Sequence, residues 1–309
     1  MKHIPVLLEE TLAAMAVKPG GTYVDGTLGR AGHASEILRQ AGAGATFVGI
    51  DRDAAALEES AGVLREAAGD GASVELLHGR HGDIAALAAK AGVSGADGVM
   101  LDLGVSSPQL DDPERGFSFM SDGPLDMRMD RGSGSTAADI VAGYGEDELA
   151  GVFSRYGEEP NARRFARAIV RERARRPFRT TRELAGFIER ISPRRGAHHP
   201  ATRIFQALRM EVNDEMGELE RALEGALAIL KTGGRIAVIT FESLTDRVVK
   251  RFLSAHAGRE VSLQAGGSKW EGELPRVRIL TKRAVKPKEG EIERNPRCRS
   301  AKLRAAERM

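Results

Sequence analysis

Through the N-terminal third of the chain, short apolar runs alternate with longer stretches whose apolar residues recur every three or four positions. Thr22 to Asp25 reads as a buried strand, Gly26-Thr-Leu-Gly-Arg-Ala-Gly32 as a glycine loop, and His33 to about Ala41 as a helix. Thr46 to Ile50 predicts a second strand that ends on Asp51. Two more strands are expected at Ser73 to Leu77 and at Gly98 to Leu103, with Ala-rich helical segments (Ala54 to Ala68, Ile84 to Lys90) between them. Alternation of this kind implies an α/β fold with a parallel, doubly wound sheet.

After Leu103 the pattern changes. The chain is first loop-rich, then helical and basic, with no clear period-two alternation. Near Ala201 a long helical pattern begins, carried by Ile204, Ala207, Leu208, Val212, Met216, Leu219, Leu223, Leu227 and Leu230, and it stops at Thr232-Gly233-Gly234. Arg235 to Thr240 is then a fifth strand, and Arg276 to Thr281 alternates as an edge strand does. The sheet therefore resumes. Residues 1–108 and 201–309 are expected to form one discontinuous Rossmann-like domain, with residues 109–200 as a helical insertion. No internal repeat or low-complexity linker interrupts this plan.

Composition narrows the setting. A chain of 309 residues with 41% hydrophobic content can bury real cores, on the scale of about two domains. The single cysteine, Cys298, excludes an intrachain disulfide, and no apolar run approaches the roughly 18 residues of a membrane span. A cytoplasmic protein without membrane partners is expected.

Lys and Arg number 46 against 44 Asp and Glu, a formal charge of +2 that hides its distribution. From Arg163 to Arg179 there are eight arginines and one acid, Glu172. The spacing of Phe165 and Ile169 predicts a helix that buries a narrow stripe, surrounded by guanidinium groups and ended by Pro177. A solvated face is one reading of such a run. Arginine in place of lysine favours phosphate, which its planar fork grips through two oxygens, so a nucleic-acid partner is the other. A second basic stretch includes Arg194, Arg195, His198, His199 and Arg203, and the tail from Lys282 to Arg308 is also basic.

In open α/β sheets, ligands sit outside the carboxyl ends of the strands, so Gly26 to His33, Asp51 and Asp102 should converge. The spacing of Gly26, Gly29 and Gly32 departs from the G-x-G-x-x-G of a dinucleotide loop, and Asp25 precedes it. A carboxylate there is unhelpful to a pyrophosphate and suits a cofactor with cationic ammonium and sulfonium groups, which favours S-adenosylmethionine. Asp51 would take ribose hydroxyls with either cofactor. No P-loop is present. Metal and nucleophile readings are weak: His198 and His199 lack further ligands at metal-site spacing, Cys298 has no identifiable base, and Ser106-Ser107 lack a G-x-S-x-G setting.

The most specific stretch is Leu101-Asp-Leu-Gly-Val-Ser-Ser-Pro-Gln-Leu-Asp-Asp112, continued by Glu114-Arg-Gly-Phe-Ser-Phe-Met120 and Asp122-Gly-Pro-Leu-Asp-Met-Arg-Met-Asp130. It closely resembles the bacterial ribosomal RNA small subunit methyltransferase H (MraW) family. The likeness extends to His3 to Glu9, Val24 to His33, Gly49 to Asp53, Tyr156 to Glu159, His199 to Ala207 and Asn295 to Ser300. It implies a class I S-adenosylmethionine-dependent methyltransferase that modifies the N4 amine of a cytidine in the decoding centre of 16S rRNA. Its partner would be 16S rRNA or the small ribosomal subunit, and homodimerisation is left open. By the same resemblance Ala31, Gly32 and His33 cradle the methionine part of the cofactor. Asp51 holds the ribose, His81 lies beside the adenine, Asp102 and Gln109 close the site, and no metal is implied. Ala31 replaces a usual glycine, and Glu242 stands where the family commonly has histidine.

An exocyclic cytosine amine is a poor nucleophile, so the protein must position and polarise it. Asp102 is the candidate catalytic acceptor; anchoring the cofactor's amino group is its alternative role. Phe117 and Phe119 could stack on a flipped base or belong to the core. Two further readings stay open on residues alone: an RNA-binding assembly factor with a vestigial site, and a nicotinamide dehydrogenase.

Overall fold

Apolar runs too short for helices become strands of one sheet, and the amphipathic stretches between them become its covering helices. The computed structural model describes residues 5–194, 196, 199–262, 267–271 and 274–309, so His3, Arg195 and His198 lie outside the described residues. Helix α1 (Leu8–Met15) precedes β1 (Thr22–Asp25), α2 (Gly32–Ala41), β2 (Thr46–Asp51), α3 (Ala54–Ala68), β3 (Ser73–His78), α4 (Ile84–Lys90) and β4 (Ala96–Asp102). Then come α5 (Ser107–Asp111), α6 (Ala137–Gly143), α7 (Glu146–Arg155), α8 (Ala162–Arg173), α9 (Thr181–Ile191) and α10 (Thr202–Val212). The chain ends with α11 (Glu215–Ile229), β5 (Leu230–Thr240), α12 (Ser243–His256), β6 (Arg259–Ser262), β7 (Ser268–Glu271), β8 (Val277–Ile279), α13 (Glu289–Arg294) and β9 (Lys302–Arg308).

Residues 1–104 and 217–309 form one unit, residues 105–216 the other. In the first, the strand order is β3-β2-β1-β4-β5-β9-β8. Strands β1 to β5 are parallel, and β9 runs antiparallel to both β5 and β8. This is the doubly wound Rossmann-like sheet read from the sequence. Its inner strands are continuous apolar runs because helices cover both faces; Val99 to Leu101 and Ile236 to Ile239 are fully buried. The order reverses between β1 and β4, which sets the crevice at their carboxyl ends. No helix among the described residues is long and apolar enough to cross a membrane.

Three sequence expectations change. The basic tail contains β9, whose Leu303, Ala305 and Ala306 are buried while Lys302, Arg304 and Glu307 meet partners inside the same unit. The long helix from Ala201 is two helices, α10 and α11, broken where Asp214 takes a left-handed φ of 48°. Asn213 seals the break by donating to the carbonyls of Met127 and Arg209 and accepting from the Met129 amide. The second unit accordingly runs to Met216 rather than ending at residue 200, because Ile204, Phe205, Ala207 and Leu208 of α10 complete its core. That core also takes Phe153 from α7, Phe165 and Ile169 from α8, and Leu184 and Ile188 from α9. Helix α8 ends at Arg173, four residues before Pro177.

Burial works to raise the Asp246 carboxyl, but Arg304 and Lys302 of β9 outweigh it and hold it below the usual carboxylate range. The Arg304 Nε donates to Asp246 Oδ1 at 2.6 Å, and Lys302 Nζ reaches Oδ2 at 3.2 Å. The stability from this clamp is complete above the ordinary carboxylate value of about 3.9 and is lost as pH falls through the lower folded value. Asp246→Asn should cost roughly 3 kcal/mol near neutral pH by leaving Arg304 uncompensated, and should flatten the acid limb of stability against pH. An acid limb identical to that of the wild type in urea titrations would refute the clamp.

Candidate active site

Strand β1 delivers Asp25 to the carboxyl edge of the sheet, where the chain turns through Gly26 to Ala31 into α2. The loop is tied down at each step. The Gly26 amide donates to the Met100 carbonyl at 3.0 Å, Leu28 to Ile50 at 3.0 Å, and Ala31 to Leu28 at 2.9 Å. Gly26 and Gly32 are forced by close approach, since a Cβ on them would fall 2.6 Å from Leu101 Cδ2 and 2.5 Å from Pro5 Cγ. Ala31 sits fully buried at the start of α2 in the left-handed region, φ 58°. The loop therefore tolerates its Cβ, at about 1 kcal/mol of backbone strain.

The strand ends bring Asp25, Asp51 and Asp102 into this unit's crevice, as expected. Asp25 is buried, and its Oδ1 accepts the Thr27 amide at 2.9 Å. Asp51 accepts the Gly29 amide on Oδ2 and the Asp53 amide on Oδ1, both at 2.8 Å, and each oxygen keeps a further lone pair. The backbone N–H of Asp102 donates to the Thr27 hydroxyl at 2.5 Å, which links the ends of β1 and β4. Asp102 Oδ1 is buried and has no hydrogen-bond partner among the described residues, although 30% of the side chain stays accessible.

Burial, followed by the neighbouring Asp51 charge, pushes Asp25 up to about 7 against the opposing Thr27 bonds. Burial and then the Asp25 charge push Asp102 up to about 7. Burial raises Asp51 as well, opposed by the Asp53 and Gly29 amides. Crowded acids of this kind suit a cation. No group of three or more His, Cys, Asp or Glu among the described residues is arranged to hold a metal ion. An organic cation such as the expected cofactor fits the donor set, with the orphaned Asp102 Oδ1 as its polar signature.

His33 packs beneath the loop, with Nε2 2.9 Å from the Val6 carbonyl and Nδ1 3.7 Å from Asp102 Oδ2. This pairing is invisible to sequence reasoning, which took His33 only as part of the loop. The Thr27 link was missed too, though a hydroxyl two residues after a strand-end acid was its signal. His81 opens a single 3-10 turn after β3, and its Cβ approaches the position a Gly26 side chain would take, at 3.4 Å.

Gln109 belongs to the second unit. There it completes a capping box with Ser106 at the start of α5 and is itself buried. Phe117 is a core residue of that unit, and Phe119, partly buried, packs against the core at 4.9 Å from the Phe205 ring and 4.7 Å from His199. Much of the most specific motif is scaffolding. Arg128 grips Asp126 through two bonds of 2.8 and 2.9 Å, and Arg115 holds the Met129 carbonyl at 2.9 Å. Cys298 is buried and burial pushes its thiol up, which disfavours the thiolate form a nucleophile needs. The carbonyl of Glu242 accepts the Thr245 hydroxyl and the Asp246 amide at the start of α12.

The arginine run divides evenly. Arg164 bonds the Ile191 carbonyl, Arg167 pairs with Glu146, Arg173 bonds the Val141 and Tyr144 carbonyls, and Arg176 pairs with Glu183. Arg163, Arg171, Arg175 and Arg179 are exposed, and their side chains make no ion pair among the described residues.

The sequence profile of the MraW methylase family matches residues 1–309. A ribosomal RNA small subunit methyltransferase H of Shewanella woodyi (strain ATCC 51908 / MS32) is 47% identical, the match covering 99% of this chain and 97% of that protein. The protein of the same name from Acidiphilium cryptum (strain JF-5) is 48% identical over 100% of this chain and 98% of its own length. Among solved structures, a putative rRNA methylase from Clostridium thermocellum aligns over 100% of both chains at 12% identity and a TM-score of 0.47.

A carboxyl raised in the folded state keeps its proton there while the unfolded chain has released it, so stability falls as pH rises from about 4 to the folded value. The ligand-free protein should therefore lose stability between pH 4 and 7. Asp25→Asn, which keeps the oxygen that meets Thr27, should remove part of that slope and raise stability at pH 7.5 by roughly 3 kcal/mol. Equal slopes for the two proteins in chemical denaturation would show that Asp25 carries no raised value.

Proposed function

The chain belongs to the MraW methylase family, and on that premise we propose that it methylates the N4 amine of a cytidine in the decoding centre of 16S rRNA. It is an rRNA methyltransferase, and its methyl donor is S-adenosylmethionine. The observation that carries the finer reading is Asp102 Oδ1, a buried, unpartnered carboxyl oxygen at the switch point of the sheet.

Ala31, Gly32 and His33 would cradle the methionine part, Asp51 the ribose and His81 the adenine. Asp25 and Asp102 face the cationic end, and Gln109 as a cofactor contact rests on the resemblance alone. When bound, the cofactor supplies a methyl group already activated by its sulfonium.

The remaining task falls to the protein. Asp102 Oδ1 accepts one N–H of the exocyclic amine, orients the nitrogen lone pair toward the methyl, and takes up the proton as charge develops. Burial of Oδ1 strengthens this contact, because fewer water dipoles compete for that oxygen. In the second unit, Arg163, Arg171, Arg175 and Arg179 would grip rRNA phosphates, a term that weakens as salt competes. A homodimer is compatible with this reading and not required by it.

Labelled methyl should pass to undermethylated small subunits and map to a cytidine N4; label on another base would overturn the assignment. Asp102→Asn should cut turnover at least about 100-fold, well beyond any loss of cofactor affinity by calorimetry. A loss of affinity as large as the loss of turnover would make Asp102 only the anchor of the cofactor's amino group. Reversing Arg163, Arg171, Arg175 and Arg179 together to glutamate should weaken rRNA binding and flatten its salt dependence, with cofactor affinity unchanged. Equal RNA affinity at low salt would sink the phosphate-gripping role.

A further inference from the structure

We propose that His33 is the proton partner of Asp102, a positioning residue whose Nδ1 takes over the proton that the carboxyl collects from the substrate amine. The inference rests on the reading of Asp102 as the group that meets that amine.

The tautomer follows from one contact. The Val6 carbonyl can only accept, so the His33 Nε2 that lies 2.9 Å from it carries the hydrogen. A neutral ring pinned in this way keeps its lone pair on Nδ1, which lies 3.7 Å from Asp102 Oδ2. The ring is 7% exposed at its side chain, so it has little room to turn away. The two oxygens of Asp102 are thus divided between two tasks: Oδ2 toward the imidazole, and Oδ1 buried without a protein partner. Oδ2 and Nδ1 stand within ion-pair distance, and the β4 backbone that carries the carboxyl is held by Thr27.

Charge favours the transfer. Among the described residues, Asp25 from β1 acts on the charge of Asp102, and Asp51 from β2 acts on Asp25 in turn. All are acids, and all are easier to keep ionised with a cation nearby. As the amine nitrogen forms its bond to the methyl carbon, the C–S bond breaks and leaves its electron pair on sulfur. The nitrogen gives its surplus proton to Oδ1, keeping the N–H electron pair, and the carboxyl, which carries a proton on Oδ2 beforehand, passes that one to Nδ1 and ends singly protonated as it began. The base leaves neutral, and the positive charge that was on sulfur ends on the imidazole. The carboxylates therefore keep a counter-cation through the reaction.

The test has an arm that needs no turnover. In the cofactor-free protein, His33 is titrated by NMR of 15N-labelled imidazole, in the wild type and in Asp102→Asn. Removal of the facing carboxylate should lower the His33 midpoint by about one pH unit or more, with His78 and His256 unmoved. An unmoved His33 midpoint overturns the proposal.

The second arm is the pH profile of single-turnover methyl transfer in His33→Gln, whose amide nitrogen can still reach the Val6 carbonyl. A fall of about 10- to 100-fold in rate with a displaced pH limb, measured at saturating cofactor, is the expected result. Wild-type rate and profile in His33→Gln, with turnover abolished in Asp102→Asn, would sink the inference and leave the reading of Asp102 standing. Persistent turnover in Asp102→Asn would sink that reading itself. Should His33→Gln fail to fold, the NMR arm alone decides.

Discussion

Three carboxyl groups at the same edge of a buried sheet are the constraint on which this molecule turns. Parallel strands all finish on one side, so an acid at the end of each is brought together by topology alone. The register sets this: Asp25 stands opposite Gly49 of β2 and Met100 of β4, and each of those strands carries its own acid two residues further on. Backbone amides of Thr27, Gly29 and Asp53 compensate part of the crowding. The remainder is a standing preference for positive charge. A cationic cofactor satisfies it, and a dinucleotide pyrophosphate would aggravate it.

Elsewhere the chain spends its charges differently. Arg209 holds Glu215 through two bonds of 2.7 and 2.8 Å in a buried pair, Arg128 holds Asp126, and Arg304 holds Asp246. Such pairs are weak evidence for net stability, since desolvation opposes them, but removing one partner strands the other. The formal +2 averages these closed pairs together with strand-end acids and open arginines. Only half of the arginine run, Arg163, Arg171, Arg175 and Arg179, is left without an ion pair among the described residues, which limits the phosphates that run could neutralise.

The parts of this architecture that were legible in the sequence are those governed by local pattern. The inner strands β1, β2 and β4 are apolar runs because both their faces are covered, and the loop between β1 and α2 announces itself by its glycines. Strand β9 escaped because Lys302, Arg304 and Glu307 read as a solvated tail until their partners on β5, β8 and α12 are known. The break between α10 and α11 escaped because Asp214 and Asn213 are polar residues that a helix tolerates, and only the bonds from Asn213 to a distant loop make the turn. In the site, the acids were found as strand ends, whereas the approach of His33 to Asp102 joins residues far apart in sequence and leaves no periodic trace. The stretch from Leu101 to Asp130 was the most specific family signal, and within it Asp126, Arg128, Met127 and Met129 turn out to hold the second unit's own loop together.

Ala31 makes the same point from the other direction. Where the family usually has glycine, this chain puts a Cβ into left-handed backbone and buries it against the core under the sheet. The conformation survives, so it is not maintained by glycine's freedom. It is imposed by the bonds on either side: Leu28 on Ile50, Gly29 on Asp51, and Ala31 itself on Leu28. The strain of roughly 1 kcal/mol is set against the burial of one methyl, worth about 0.8 kcal/mol, and against the entropy a glycine would lose on folding, about 0.5–1 kcal/mol. These terms nearly cancel, which is why the substitution is tolerated. The shape of the loop is thereby a property of β1, β2 and Asp51 together, and the same carboxyl that would meet the ribose already holds the loop that would meet the methionine.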